Sequence, residues 1–159
     1  MPRQRHDPSK NLVGFLVGEV MYAVRIEIVR EIVNPLPIAP LPRAPASVVG
    51  VADYRGVVVP VVDLRERFAL PEAPLSRKTK WIVLDAGGGR FVALVVDAVT
   101  EVFGYGAGGI RPSPQLGEGD DVRGIEGVTT FGDGLVFVLD ARAFGRIADA
   151  LAFSTPELA

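Results

Sequence analysis

The chain contains no cysteine and a single histidine, His6, which lies in a polar N-terminal stretch. The first absence removes disulfides, thiolate metal sites and thiol nucleophiles. The second excludes a histidine-rich metal site and leaves a Ser-His-Asp triad dependent on one tail residue. Most general-base chemistry would then rest on carboxylates or lysine alone. A basic excess is also missing. The formal net charge is −2, so nothing offsets the phosphates of a nucleic acid, and no nucleic-acid partner is expected. Apolar runs are short and broken by glycine, proline or charge, so no segment is expected to insert directly in a bilayer. The start, MPRQRHDPSKN, lacks the apolar run of a secretory signal, and the expected location is cytoplasmic. What is present is 159 residues, nearly half of them hydrophobic, enough for one domain or two small lobes on one core.

The sequence repeats itself. Ala23 to Val33 (AVRIEIVREIV) aligns without a gap to Ala93 to Phe103 (ALVVDAVTEVF), pairing Ala23 with Ala93, Glu27 with Asp97, Val29 with Val99 and Glu31 with Glu101. Gly50 to Arg65 (GVADYRGVVVPVVDLR) aligns in the same way to Gly127 to Arg142 (GVTTFGDGLVFVLDAR). Shared residues are expected to be structural, and unshared ones mark added function. Arg55, opposite Gly132, is the most conspicuous of the latter.

Asn11–Val17 and Val20–Val24 read as a hairpin around Gly18-Glu19. Apolar spacing over Ile26–Ile32 predicts a short helix carrying Glu31. PLPIAPLPRAP, from Pro35 to Pro45, reads as a rigid extended connector. Two strands flank Asp53-Tyr54-Arg55-Gly56, and Pro60 in the second argues for an edge position or a bulge. Asp63 and Asp140 read as helix caps rather than catalytic acids, with Glu66 completing a capping box after Asp63. Residues 97–102 fit helix or strand equally. Val122–Phe131 and Leu135–Leu139 pair around FGDG, and a closing helix runs from Ala141 to about Phe153. The glycine-rich stretches DAGGGR and GYGAGGIR lack the residues of a phosphate loop and read as turns. The whole reads as mainly β. A flexible tail is expected over 1–10 and a single domain over 11–153, with lobes at about 11–70 and 79–140 and the closing helix over about 141–153. A second tail covers 154–159.

Arg55 sits at a turn tip, where its fork of donors suits a carboxylate. Tyr54 beside it is matched by Phe131, which favours burial. Whether Asp53 pairs with Arg55 is left open by the sequence.

The stretch GVADYRGVVVPVVDLRERF resembles the pattern G-V-x-N-L-R-G-x-x-x-P-V-x-D-L-R of the CheW family of chemotaxis coupling proteins. VREI (Val29–Ile32), PLPRAP, VVDAV (Val95–Val99) and IRPSP (Ile110–Pro114) occur in matching order, so the resemblance spans roughly Asn11 to Phe153. It implies two pseudo-duplicated five-stranded SH3-like β-barrels around a shared core. It implies a non-enzymatic adaptor without a cofactor that links a chemoreceptor's cytoplasmic coiled-coil tip to the regulatory domain of a CheA-type histidine kinase. It implies receptor binding through Glu31, Val29, Ile32 and Arg55, and kinase binding through Gly50, Val51 and Arg55. Asp53-Tyr54 departs from the family's usual Asn-Leu and puts partner identity in question. Two other readings stand beside this one: a diverged regulatory or decoy copy that binds a partner other than the kinase, and a small-ligand-binding β-barrel.

Overall fold

A computed structural model describes residues 11–45, 47–105, 108–112 and 124–154, with the side chains of 151–154 excepted. The expected tail over 1–10, the expected tail over 154–159 apart from Ser154, which ends the closing helix, the end of IRPSP and the strand start at Val122 lie outside the described residues.

The elements in chain order are β1 (Leu12–Val17), β2 (Val20–Arg25), a 3-10 turn (Ile26–Ile28), β3 (Val29–Val33), β4 (Val48–Tyr54), β5 (Val57–Asp63) and α1 (Leu64–Arg67). They continue as β6 (Lys80–Asp85), β7 (Phe91–Val96), β8 (Ala98–Phe103), β9 (Ile125–Phe131), β10 (Gly134–Leu139) and α2 (Ala141–Ser154). Two five-stranded sheets result, ordered β8-β1-β2-β10-β9 and β3-β6-β7-β5-β4. The mainly β expectation with a closing helix is borne out.

The lobes expected at about 11–70 and 79–140 do not coincide with the sheets. Each half contributes its first hairpin, β1-β2 or β6-β7, to the sheet completed by the other half. The joins are parallel and equivalent: Ala23 of β2 faces Val138 of β10, and Ala93 of β7 faces Val61 of β5. Period-2 alternation gives every such strand two apolar faces. Along β6, Ile82 and Leu84 enter a shared core with Phe15, Val24, Leu94 and Phe144, while Trp81 and Val83 turn to a separate cluster with Tyr54, Val61 and Ala93. A third cluster, around Leu12, Ala23, Phe103 and Val138, fills the other sheet.

Residues shared by the repeats have shared structural tasks. The main chain of Val51 exchanges two hydrogen bonds with Ala39, at 2.8 and 2.9 Å, and Val128 does the same with Arg111 at 2.8 Å. With both of its polar groups turned to Ala39, Val51 asks no donor of Pro60 opposite, so the proline sits inside a strand without an orphaned bond. Asp63 and Asp140 each accept the amide two residues on at 2.9 Å, as caps should. Ser47 (φ 71) and Gly124 (φ 81) share a left-handed backbone, and their carbonyls accept the amides of Asp63 and Asp140.

Two local readings are corrected. Ile26–Ile32 is not a helix: three residues form a 3-10 turn, and Val29–Val33 is a strand paired with β6. β-Branched Val29, Ile32 and Val33 fill a pleated surface better than a helical turn, so pairing overrode the spacing. Residues 98–103 resolve the same way, as β8. Glu66 completes no capping box; its carboxylate accepts the Ser47 amide at 3.3 Å instead.

Ion pairs tie the halves together: Arg25 meets Glu126 at 2.9 Å, and Arg65 meets Asp97 in a less exposed setting. Asp97 accepts the Gly18 amide at 2.6 Å and two nitrogens of Arg65 at 2.8–3.2 Å. Burial pushes this carboxyl up, but the Arg65 and Gly18 bonds outweigh it and hold it below its usual 3.8. A carboxyl depressed in the folded state adds stability above its unfolded pKa and loses that contribution as pH falls through its folded value. Asp97→Asn is expected to cost about 1 kcal/mol at pH 7, a modest figure because the pair is partly exposed. The gap to wild type, measured by urea unfolding, should close as pH falls below 3.8. A gap that stays constant down to pH ~2 would overturn the assignment.

Candidate functional site

β4 and β3 are the two outer strands of their sheet, yet their side chains meet. β4 ends at Tyr54 and β5 begins at Val57, so Arg55-Gly56 is a two-residue hairpin turn with φ of 49 and 84. Positive φ at both central residues is the geometry that matches strand twist, and glycine or asparagine usually supplies it. The Asp53 carboxylate accepts the Gly56 amide at 2.8 Å and so braces the turn. It does not hold Arg55, which answers the question the sequence left open.

Arg55 reaches instead across the sheet's open side to Glu31 of β3. Its Nε donates to Oε1 at 2.8 Å and its Nη2 to Oε2 at 2.7 Å, a bidentate fork. The Tyr54 hydroxyl donates to the same Oε1 at 2.6 Å. The Tyr54 ring is buried, edge-on to Phe91 with centroids 6.1 Å apart. The contact closes the sheet on itself, as a barrel requires.

Exposure within the cluster is uneven: 67% for the Arg55 side chain against 32% for Glu31. Arg55 first, and then Tyr54, lower the Glu31 carboxyl to about 2. Glu31 in turn raises the guanidinium further above its usual value. A carboxylate locked in its anionic form beside a permanent cation does not exchange protons near neutrality, so this arrangement suits recognition and not acid-base catalysis. Among the described residues no group of three or more His, Cys, Asp or Glu side chains could hold a metal ion.

The second half lacks the equivalent site. Glu101 keeps the carboxylate on β8, but Phe131 has no hydroxyl where Tyr54 has one, and Gly132 (φ 61) replaces Arg55. An aromatic contact closes that corner, Phe103 to Phe131 at 4.5 Å. The comparison isolates Arg55. The left-handed position in one half is filled by glycine, and in the other by an arginine that bears about 1 kcal/mol of backbone strain. Strain retained at an exposed charged residue points to a use for it.

The other sequence-derived residues are placed less uniformly. Ile32, beside Glu31 on β3, is 39% exposed. Val29 is half-buried and packs against the shared core. Gly50 is buried, and Val51, also on β4, is half-buried. Neither takes part in the Arg55 cluster. Sequence reasoning missed Val58, which is 70% exposed and follows the turn directly with Val57. A signal for it existed. Val58 lies just past the turn in the run Val57–Val62, as its repeat partner Leu135 lies just past the turn of the second half, and Leu135 is exposed too.

A groove of about 360 Å³ lies at the other end of this sheet, floored by Trp81, Val49 and Val95. Its Arg65 is bonded to Asp97 and to the Pro71 carbonyl, so that guanidinium is already engaged within the fold.

Residues 11–147 match the CheW-like domain family. The chain is 36% identical over 108 residues to the chemotaxis protein CheW of Rhizobium meliloti, a match covering 68% of this chain and 69% of that protein. It is 29% identical over 144 residues to the chemotaxis protein CheW of Treponema pallidum, covering 88% of this chain and 84% of that one. Among solved structures, the scaffolding protein TtCheW from Thermoanaerobacter tengcongensis superposes with a TM-score of 0.74 at 28% identity, covering 83% of this chain and 89% of that chain.

Proposed function

The chain belongs to the CheW-like domain family, and from that premise we propose that its Arg55 corner is the working surface of a chemotaxis coupling adaptor. The family is one of non-enzymatic adaptors whose partners are a chemoreceptor and a CheA-type histidine kinase. Among the described residues no helix is long and apolar enough to cross a membrane.

Arg55, Glu31 and Ile32 contact the receptor along this edge of the sheet, Ile32 from the face of β3 opposite Glu31, while Val29 packs against the shared core. The receptor's helical tip supplies an apolar stripe for Ile32 and an acidic group for Arg55, the mixture that helix-on-surface docking uses. The kinase regulatory domain packs against the β4-β5 hairpin, where Arg55 again takes part, Val51 contributes, and Gly50 keeps the strand in place. The adaptor then acts by assembly, shifting kinase populations without bond chemistry of its own. The observation that carries this reading is the three-residue cluster, built in one half only and aimed at solvent by a strained arginine. Tyr54 in place of the family's leucine favours a second reading on the same surface, a regulatory copy that prefers a different partner.

The test is calorimetric titration of the purified protein with a receptor signalling-tip fragment and, separately, with a kinase regulatory domain. Binding to both is expected. Ile32→Asp should weaken binding of the receptor fragment by roughly tenfold, since it puts a charge where the apolar stripe docks and leaves the Glu31–Arg55 pair untouched. Receptor binding without kinase binding would favour the regulatory copy, and binding to neither would sink the adaptor reading.

A further inference from the structure

Exposed ion pairs are weak, because water competes for both partners and two long side chains must be held still. The Glu31–Arg55 pair alone would spend much of its time open. This chain adds a third group that its resemblance family does not usually carry. Tyr54 stands where the pattern has leucine, and its hydroxyl donates to Glu31 Oε1 at 2.6 Å, the oxygen that also receives Arg55 Nε. The tyrosine is itself fixed: its ring is buried, edge-on to Phe91, so the hydroxyl is aimed at Glu31 by packing and not by chance rotation. The Arg55 guanidinium lies 5.8 Å from the same ring, a further attraction toward the closed arrangement.

We propose that Tyr54 is a positioning residue: its hydroxyl keeps the Glu31–Arg55 pair closed in the unbound chain and thereby sets how readily the guanidinium is released to a partner's carboxylate. Glu31 and the partner compete for one fork of donors. Anything that holds Glu31 in place lowers the fraction of chains with Arg55 free, and apparent affinity falls by that fraction. The same backbone position in the second half carries Phe131, which shows that a ring without the hydroxyl fits this corner of the fold. The binding arm of this proposal rests on the adaptor reading, whereas the titration arm does not.

The test is Tyr54→Phe, which removes one oxygen and leaves the ring. The Glu31 carboxyl carbon is followed by NMR across a pH titration of the free protein, where the wild type should titrate at about 2. In the variant the midpoint should rise by about one unit, since one donor to the anion is gone. The Arg55 Nε–H should exchange several-fold faster with solvent, and the receptor-tip fragment should bind several-fold more tightly. A midpoint within about 0.3 units of wild type, with unchanged Nε–H exchange, would overturn the positioning role, because a purely packing tyrosine moves neither. A raised midpoint with unchanged or weaker fragment binding would overturn the competition. If wild type binds no fragment, the adaptor reading fails while the titration still decides whether Tyr54 holds the pair.

Discussion

Gly50→Ala is expected to destabilise the protein by about 3–5 kcal/mol, a large share of the 5–15 kcal/mol that holds a domain of this kind together. A Cβ at position 50 would lie 2.3 Å from the Ala39 carbonyl oxygen and 2.6 Å from Ile38 Cγ2. The first of these is backbone and cannot swing aside. Relief requires parting the Ala39–Val51 pair, with two hydrogen bonds lost at about 1 kcal/mol each, in addition to about 1–3 kcal/mol of overpacking. Urea unfolding measures the cost, and a change under 1 kcal/mol would contradict the argument. Gly127→Ala supplies an internal control. Its Cβ would lie 2.4 Å from the Arg111 carbonyl oxygen and 2.8 Å from Ile110 Cγ2, so the clash should cost a similar amount, while Gly50, at φ 154, adds backbone strain that Gly127 does not. The two glycines are one structural requirement written twice. Loss of kinase binding in a Gly50 variant therefore reports on folding, and Val51, half-buried and carrying a side chain, is the better probe of that segment.

The repeat is also where the sequence was most readable. Gly50 with Gly127 and Asp63 with Asp140 recur because two backbones of the same shape need the same close approach and the same cap. Local alternation was enough for the hairpin at residues 12–25. It was not enough for the exchange of hairpins between halves. Nothing in β2 or β7 taken alone distinguishes β10 or β5 as a parallel neighbour, and that pairing is decided by which apolar faces meet in the shared core. Ile26–Ile32 failed for a related reason: spacing that suits one helical face also suits a bulged strand, and β6 was available to pair with it. At the site, Glu31 and Arg55 were each singled out, but their contact was not foreseen, because a helical Glu31 would have lain away from the turn. A clue was present. Tyr54 and Arg55 both differ from the second copy at adjacent positions, and both differences are hydrogen-bond donors that Phe131 and Gly132 lack. Two donors gained together imply an acceptor facing them, and Glu31 is that acceptor.

Arg55→Glu is expected to weaken binding to both the receptor-tip fragment and the kinase regulatory domain by roughly a hundredfold or more. The substitution removes the bidentate fork and places a second carboxylate against Glu31, so the corner that closes the sheet is pushed open by like charge. The Tyr54 hydroxyl is then left with two anions to share. A partner carboxylate that met a guanidinium now meets an anion, and the change from attraction to repulsion acts on encounter as well as on the bound state. The fold should survive, because the Arg55 side chain is 67% exposed, lies at a turn, and belongs to none of the three apolar clusters. Circular dichroism should be unchanged, with a melting temperature within about 5 °C of wild type. Arg55→Lys separates charge from geometry: it keeps the cation but loses the fork, so its binding should fall between the two. Wild-type affinity for both fragments in a well-folded Arg55→Glu protein would remove Arg55 from the working surface. The strained turn would then have to be explained by closure of the barrel alone.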